Sequence, residues 1–376
     1  MRIGVRGGGV FGMAAALELR SRGHEVVLCE RDVVPAPDAS STDVSKAIRR
    51  LHYPEQEYVE LATRAAKQWS RWQERSGSSF YYQPGFLSVS RDLPAHNKVH
   101  GGHDTLSRLG IEMESLSVDE VGRRFPQLVV KAGETVFYDS WGGYLRSGEA
   151  VAQLAAIARS DGVEMRESTP IQQVQEHGSG VDVVSVNGET LSCDRVVISA
   201  GAWVIRLLPQ LRPHLFITRQ QMAFFAPQDP AAFRREVFPL WSVLKPGNAW
   251  YGFPLLEEGY VKVAEDNRVI EADPDSDREP TEQFLSQARE FVAERLPALA
   301  DAELVGGRSC LYTNTPDNNF VIDWAPDSDR VLIAGCGCGH GFKFGGAIGP
   351  VIADTLEDRE NPLGRLFKIG ERFGEN

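Results

Sequence analysis

Met1–Asp32, MRIGVRGGGVFGMAAALELRSRGHEVVLCERD, is the stretch that decides the fold. It reads as a short apolar strand, a glycine turn, a helix and a second strand, the first half of a dinucleotide-binding βαβ unit. Gly7, Gly9 and Gly12 satisfy GxGxxG, with Val10 and Phe11 between the last two. In that motif the glycines make the tight turn, admit a pyrophosphate to the backbone and let helix pack on strand, while the helix N-terminus offers unpaired N–H groups. Glu30 closes the second strand, with Arg31 behind it. A carboxylate there accepts ribose hydroxyls and repels a 2′-phosphate, so NADP is disfavoured while FAD and NAD stay open. A glycine turn alone would be a weak signal; the strand, the helix and the acid around it supply the context. Arg6 is out of pattern, because that strand end is ordinarily apolar.

The rest of the chain is compatible with a large globular enzyme. Its 376 residues, 42% hydrophobic, suffice for a substantial core and suggest two domains. A formal charge of -12 argues against nucleic acid or anionic membrane as a partner, since both are held by clustered Lys and Arg. Cys29, Cys193, Cys310, Cys336 and Cys338 are too few and too scattered for a disulfide framework, which points to the cytoplasm. No signal-peptide pattern opens the chain, and no apolar run approaches the ~20 residues of a membrane helix.

Beyond the fingerprint, Tyr58, Leu61, Ala62, Ala65, Trp69 and Trp72 recur at helical spacing after Pro54. Lys46, Arg49, Arg50 and His52 precede them as a basic cluster, which in isolation reads as a solvated loop. Residues 80–149 lose the βαβ rhythm; FLSVS is a strand, and HNKVHGGH reads as a polar loop. There His96, His100 and His103 invite a metal, but Gly101 and Gly102 spoil a helical ligand face. The dinucleotide pattern returns with EAVAQLAAIARSDGVEMRES and VDVVSVNGETLSCDRVVIS, ending in AGAW. Strand-like QQMAFFA, AWYGF and YVKVA follow, then a helix through Phe284, Leu285, Ala288, Phe291 and Val292. The acidic DPDSDREP lacks the glycine and glutamate of a calcium loop and reads as a solvated acidic loop. The predicted fold is therefore α/β (α+β overall): a discontinuous Rossmann-like unit, 1–79, 150–215 and 305–376, holding an inserted, mainly antiparallel sheet unit, 80–149 and 216–304, flanked by helices.

The C-terminal block joins Cys310-Leu-Tyr-Thr, the apolar strand RVLIAG and GHGFKF at 339–344. With KAIRRLHY, AGAW and YGFP upstream, in the same order and at matching spacing over nearly the whole chain, it resembles the monomeric sarcosine oxidase and N-methyltryptophan oxidase family. That resemblance implies FAD bound by the fingerprint, by Glu30 and Arg31, by Ala200, Gly201 and Trp203 of AGAW, and by Gly339, His340, Gly341, Phe342 and Lys343. It also implies a bond from Cys310 to the flavin 8α-methyl group, where a lone cysteine is otherwise an inert buried thiol. Arg49 and Lys343 match the pair that holds the substrate carboxylate, and Lys262 matches the lysine that assists oxygen activation beside the ring. Without the resemblance, Lys262 reads as a strand-edge lysine facing water. Tyr251 and Tyr312 match active-site tyrosines, which are otherwise core aromatics, and Lys46 lies against both flavin and substrate. His340 and the CGC pair match a flavin turn that carries no metal.

Two departures argue against sarcosine itself: Lys46 replaces an arginine, losing the two-pronged guanidinium, and Asp266 replaces a histidine. The implied reaction is oxidation of the C–N bond of a secondary-amine or imino amino acid to an imine, with O2 reduced to H2O2. It requires a neutral substrate amine, a small-molecule substrate and no partner chain, so a monomer is expected. A dehydrogenase or an oxidase subunit passing electrons to a partner, a flavin-binding protein without oxidase activity, and an oxidase of cyclic imino acids or glycated amino acids are the competing readings.

Overall fold

A computed structural model describes residues 1–91, 97–245 and 248–373. Its helices are α1 (Val10–Ser21), α2 (Gln56–Ser76), α3 (Asn97–Arg108), α4 (Val118–Arg124), α5 (Ser147–Ser160), α6 (Val204–Leu207), α7 (Glu282–Arg295) and α8 (Gly345–Leu356). None is long and apolar enough to cross a membrane.

The opening stretch folds as read. Strand Arg2–Arg6 lies at the centre of a six-stranded sheet, between Glu25–Cys29 and Arg195–Ile198, with Glu164–Arg166 beyond the former and Val331–Gly335 then Val321–Trp324 beyond the latter. All pairs are parallel except Val321–Trp324 with Val331–Gly335. These strands are short runs of buried apolar residues because both faces are covered. On one face α1, α2, α5 and α8 share a core that includes Ala14, Trp69, Leu154 and Ile348. The other is closed by a three-stranded antiparallel sheet, Ile171–His177, Gly180–Ser185 and Thr190–Cys193.

A second sheet of eight strands runs in the order Glu303–Asn314, Phe216–Ala226, Val261–Asp266, Asn248–Leu255, Leu240–Lys245, Phe86–Arg91, Glu134–Asp139, Glu114–Leu116. It is antiparallel except where Leu240–Lys245 meets Phe86–Arg91. One face packs on α7 through Trp241, Trp250, Phe284 and Phe291; Trp250 stacks on Phe291 at 4.6 Å. Register sets the other face: Cys310 lies opposite Gln220 and Tyr312 opposite Thr218, while Lys262 lies opposite Phe224 and Tyr251 opposite Ala264.

Two local expectations change. HNKVHGGH is not a loop, since Asn97–Arg108 is helix α3; His96 lies outside the described residues. His103 stacks on Phe137 at 4.4 Å instead of facing a ligand set. The basic cluster is not a solvated loop either. Lys46–Ile48 forms a strand against Gly143–Leu145, Arg50 chelates buried Asp139 at 3.1 Å through two nitrogens, and His52 bonds Ser88 Oγ at 3.0 Å. DPDSDREP is a solvated acidic loop as read, with Asp273 and Asp275 largely exposed even though Asp275 accepts from Trp203 Nε1 at 2.6 Å and Asp273 pairs with Arg206 at 2.7 Å.

Candidate active site

A cleft of about 430 Å³ crosses the C-terminal ends of the central strands. Gly7, with φ of 107°, sits so close to Ser199 that an added Cβ would overlap its carbonyl oxygen. A Cβ on Gly12 would overlap the Gly7 carbonyl oxygen, so α1 starts directly on the turn. Glu30, buried beside them, accepts from Gly8 N at 2.6 Å and from Asp32 N at 3.2 Å. Arg31 lies 3.9 Å over Trp203. Gly9, Val10, Phe11, Ala200, Gly201, Gly339, Gly341 and Phe342 line the same cleft, and so does the out-of-pattern Arg6, which donates to Ile171 O at 2.6 Å.

At its far end the cleft meets a second chamber of about 240 Å³, and the two share Lys46, Tyr312, Gly339 and Phe342. Apolar and aromatic walls come from Phe86, Leu240, Leu244, Ala249, Tyr251 and Phe253; Arg49, Lys343, Asp266 and Arg268 supply charge. Lys343 is 4% exposed, and its ammonium donates to the Tyr53 hydroxyl at 3.0 Å and to His340 O at 2.8 Å. Two of its three N–H groups are thus used. Tyr53 completes a directed chain: its hydroxyl accepts from Lys343, lies 3.3 Å from His340 Nδ1, and His340 Nε2 donates to Asn318 O at 3.0 Å. Burial, then the neighbouring Lys343 charge, keeps His340 neutral. Burial, then Arg49, pulls the Lys343 pKa well below the ordinary lysine value. Among the described residues neither Arg49 nor Lys343 has a carboxylate within ion-pair distance, whereas Arg268 leans on Asp266 at 3.4 Å. Burial raises the pKa values of both Tyr251 and Tyr312.

Two predicted residues lie behind the chamber walls. Lys262 and Cys310 line neither cavity. Lys262, 1% exposed, donates to Asp43 Oδ2 at 2.6 Å and to Ser45 O at 2.9 Å. Asp43 also takes Lys46 at 3.1 Å, and Lys46 Nζ stands 3.9 Å from Cys310 Sγ. Burial opposes ionisation of Asp43, but the two lysines outweigh it and hold its pKa well below the usual carboxylate range. Burial lowers the Lys262 pKa; for Lys46, burial acts in the same direction but Cys310 and Asp43 reverse it. Sequence reading missed Asp43 and Tyr53. Asp43 lies three residues before Lys46, the only local hint; Tyr53 closes KAIRRLHY, a motif that marks its position but not its role.

A dinucleotide cleft opening end-on into a charged chamber is the layout of a cofactor-dependent enzyme acting on a small molecule. The chain belongs to the FAD dependent oxidoreductase family, whose model matches residues 2–355. It is 26% identical over 364 residues to N-methyl-L-tryptophan oxidase of Yersinia pestis, covering 96% of this chain and 95% of that one. Solved structures with the same fold include NikD, an amino acid oxidase essential for nikkomycin biosynthesis, at TM-score 0.82 and 21% identity over 97% of this chain and 96% of that one. L-proline dehydrogenase from P. horikoshii matches at TM-score 0.84 and 21% identity, over 96% and 94% of the two chains. The residues present fit FAD: the glycine cradle tolerates no Cβ at Gly7 or Gly12, the buried Glu30 carboxylate lines the cleft where it could meet a ribose, and the cleft runs on into the second chamber, toward which a flavin ring would extend.

Proposed function

We propose that this chain oxidises a secondary-amine or imino amino acid, an N-methyl amino acid or a close analogue, at the C–N bond to an imine, with O2 reduced to H2O2. When bound, FAD supplies the redox chemistry, taking two electrons from the amine and passing them to oxygen. The protein's task is placement. One observation carries the reading: Arg49 and Lys343, two cations without a carboxylate partner among the described residues, lie in the chamber that adjoins the cofactor cleft. The Arg49 fork and the remaining Lys343 N–H would hold the substrate carboxylate. Tyr251, Tyr312, Phe86 and Leu240 would enclose the remainder and exclude water. The test is an anaerobic flavin-bleaching screen of N-methyl amino acids, cyclic imino acids and glycated amino acids, followed by a peroxide assay. Bleaching by none of the three groups refutes the reading.

A thioether from Cys310 Sγ to the flavin 8α-methyl group belongs to the same proposal. Such a bond would form with loss of the thiol proton and one methyl hydrogen, the two electrons passing to O2. The Lys46 ammonium 3.9 Å from Sγ supports it by placing a cation beside the reacting sulfur. Acid-precipitated protein is then expected to stay yellow and Cys310→Ala to release its flavin; loss of colour from the wild type excludes the bond. Division into a cofactor unit and a substrate unit at the sequence-derived boundaries, a monomeric state and a cytoplasmic location complete the proposal. All five cysteines are free, which suits a reducing compartment.

One observation favours a second reading, transfer of electrons to a partner instead of O2. Lys262, the expected oxygen-activating cation, is ion-paired with Asp43 and lines neither cavity. Lys262→Met separates the two: a collapse of flavin reoxidation by O2 supports the oxidase, and unchanged reoxidation supports the dehydrogenase.

A further inference from the structure

Helix α3 carries two adjacent glycines in its interior, each costing about 1 kcal/mol relative to alanine. The packing explains their presence. A Cβ on Gly102 would overlap the Leu51 carbonyl oxygen and lie 3.2 Å from Tyr53 N. A Cβ on Gly101 would press on Pro54 Cβ and Cγ at 3.3 Å. One turn on, Thr105 Oγ1 donates to Pro54 O at 2.6 Å. The helix therefore rests on the backbone of Leu51–Pro54, held by two glycines and one hydroxyl. That segment follows Arg49 and carries Tyr53, whose ring stacks on Tyr58 at 5.2 Å and whose hydroxyl meets Lys343.

We infer that Gly101 and Gly102 of α3 are positioning residues for the anion site. By letting the helix touch the Leu51–Pro54 backbone they fix the height of Tyr53, and through its hydroxyl the reach of Lys343 toward the substrate carboxylate. The inference rests on the Arg49–Lys343 site proposed above. It assigns α3, none of whose described side chains lines the chamber, a share in carboxylate affinity. A side chain at Gly102 must push the segment away, because the obstacle is a backbone carbonyl that no rotamer change removes.

The test titrates acetate, a carboxylate that cannot be oxidised, into the holoenzyme and follows the flavin absorption spectrum. Arg49→Met and Lys343→Met are measured first; if acetate binds both as it binds the wild type, the anion site itself is wrong. With that site upheld, Gly102→Ala is expected to raise the acetate Kd about tenfold or more, and Gly101→Ala roughly two- to threefold. The same order is expected in KM, with the limiting rate of anaerobic flavin reduction within about twofold of wild type. Gly122→Ala in α4, where an added Cβ meets nothing within 4 Å, is the control and leaves Kd unchanged. Wild-type acetate affinity in Gly102→Ala, at normal flavin content, overturns the inference. Should Gly102→Ala fail to fold, Gly101→Ala and Tyr53→Phe decide, and unchanged Kd in both overturns it equally.

Discussion

Lys343 shows how much of this site depends on single donors. Tyr53 and His340 occupy two of its N–H groups, leaving one for a ligand. Removing a charged hydrogen-bond partner costs about 1.5–3 kcal/mol, so Lys343→Met is expected to weaken carboxylate binding about 10- to 100-fold, measured by spectral titration. Burial disfavours the ammonium. Carboxylate binding requires that ammonium, so affinity is lost as pH rises through the depressed lysine pKa. The reacting amine must shed its proton, which gives the opposite slope. A bell-shaped pH profile of kcat/KM is expected, and Lys343→Met should abolish only the falling, alkaline limb. Arg49 and Lys343 were legible in the sequence because each sits in a dense motif, KAIRRLHY and GHGFKF. Tyr53 closes the same KAIRRLHY motif, but its role was not legible, because its hydroxyl acquires meaning only from a lysine 290 residues away in the chain.

Elements place these groups, and some placements depend on contacts between elements alone. Asp43 precedes the strand Lys46–Ile48 and meets Lys262 on a strand of the other sheet, which no local pattern announces. Asp43→Asn leaves a buried lysine without its counter-charge and is expected to cost about 3–5 kcal/mol in denaturant melts at neutral pH. Because the folded pKa of Asp43 is depressed, its stabilisation is present above the unfolded value near about 3.9 and lost as pH falls toward the folded one. The acid limb of the stability curve should therefore flatten in Asp43→Asn. The glycine turn is the converse case, legible in full because its demands are local. Gly12→Ala, whose Cβ would overlap the Gly7 carbonyl oxygen, is expected to purify without flavin. Helix α3 was misread for a physical reason: Gly101, Gly102 and polar neighbours lower helix propensity, and contact with Leu51–Pro54 overrides it.

Across the whole molecule, a chain of net charge -12 gathers Lys46, Arg49, Arg268 and Lys343 around one chamber, against Glu55, Asp266 and Asp317 on the same lining. Such a local field suits a small anionic or zwitterionic ligand while the surface stays unattractive to polyanions. The central claim is that the carboxylate anchors the substrate for oxidation. The most direct measurement compares anaerobic bleaching of the bound flavin by an N-methyl amino acid with bleaching by the matching N-methyl amine that lacks the carboxylate. Bleaching by the amino acid at concentrations where the amine leaves the flavin yellow is the predicted result; equal bleaching by both contradicts it.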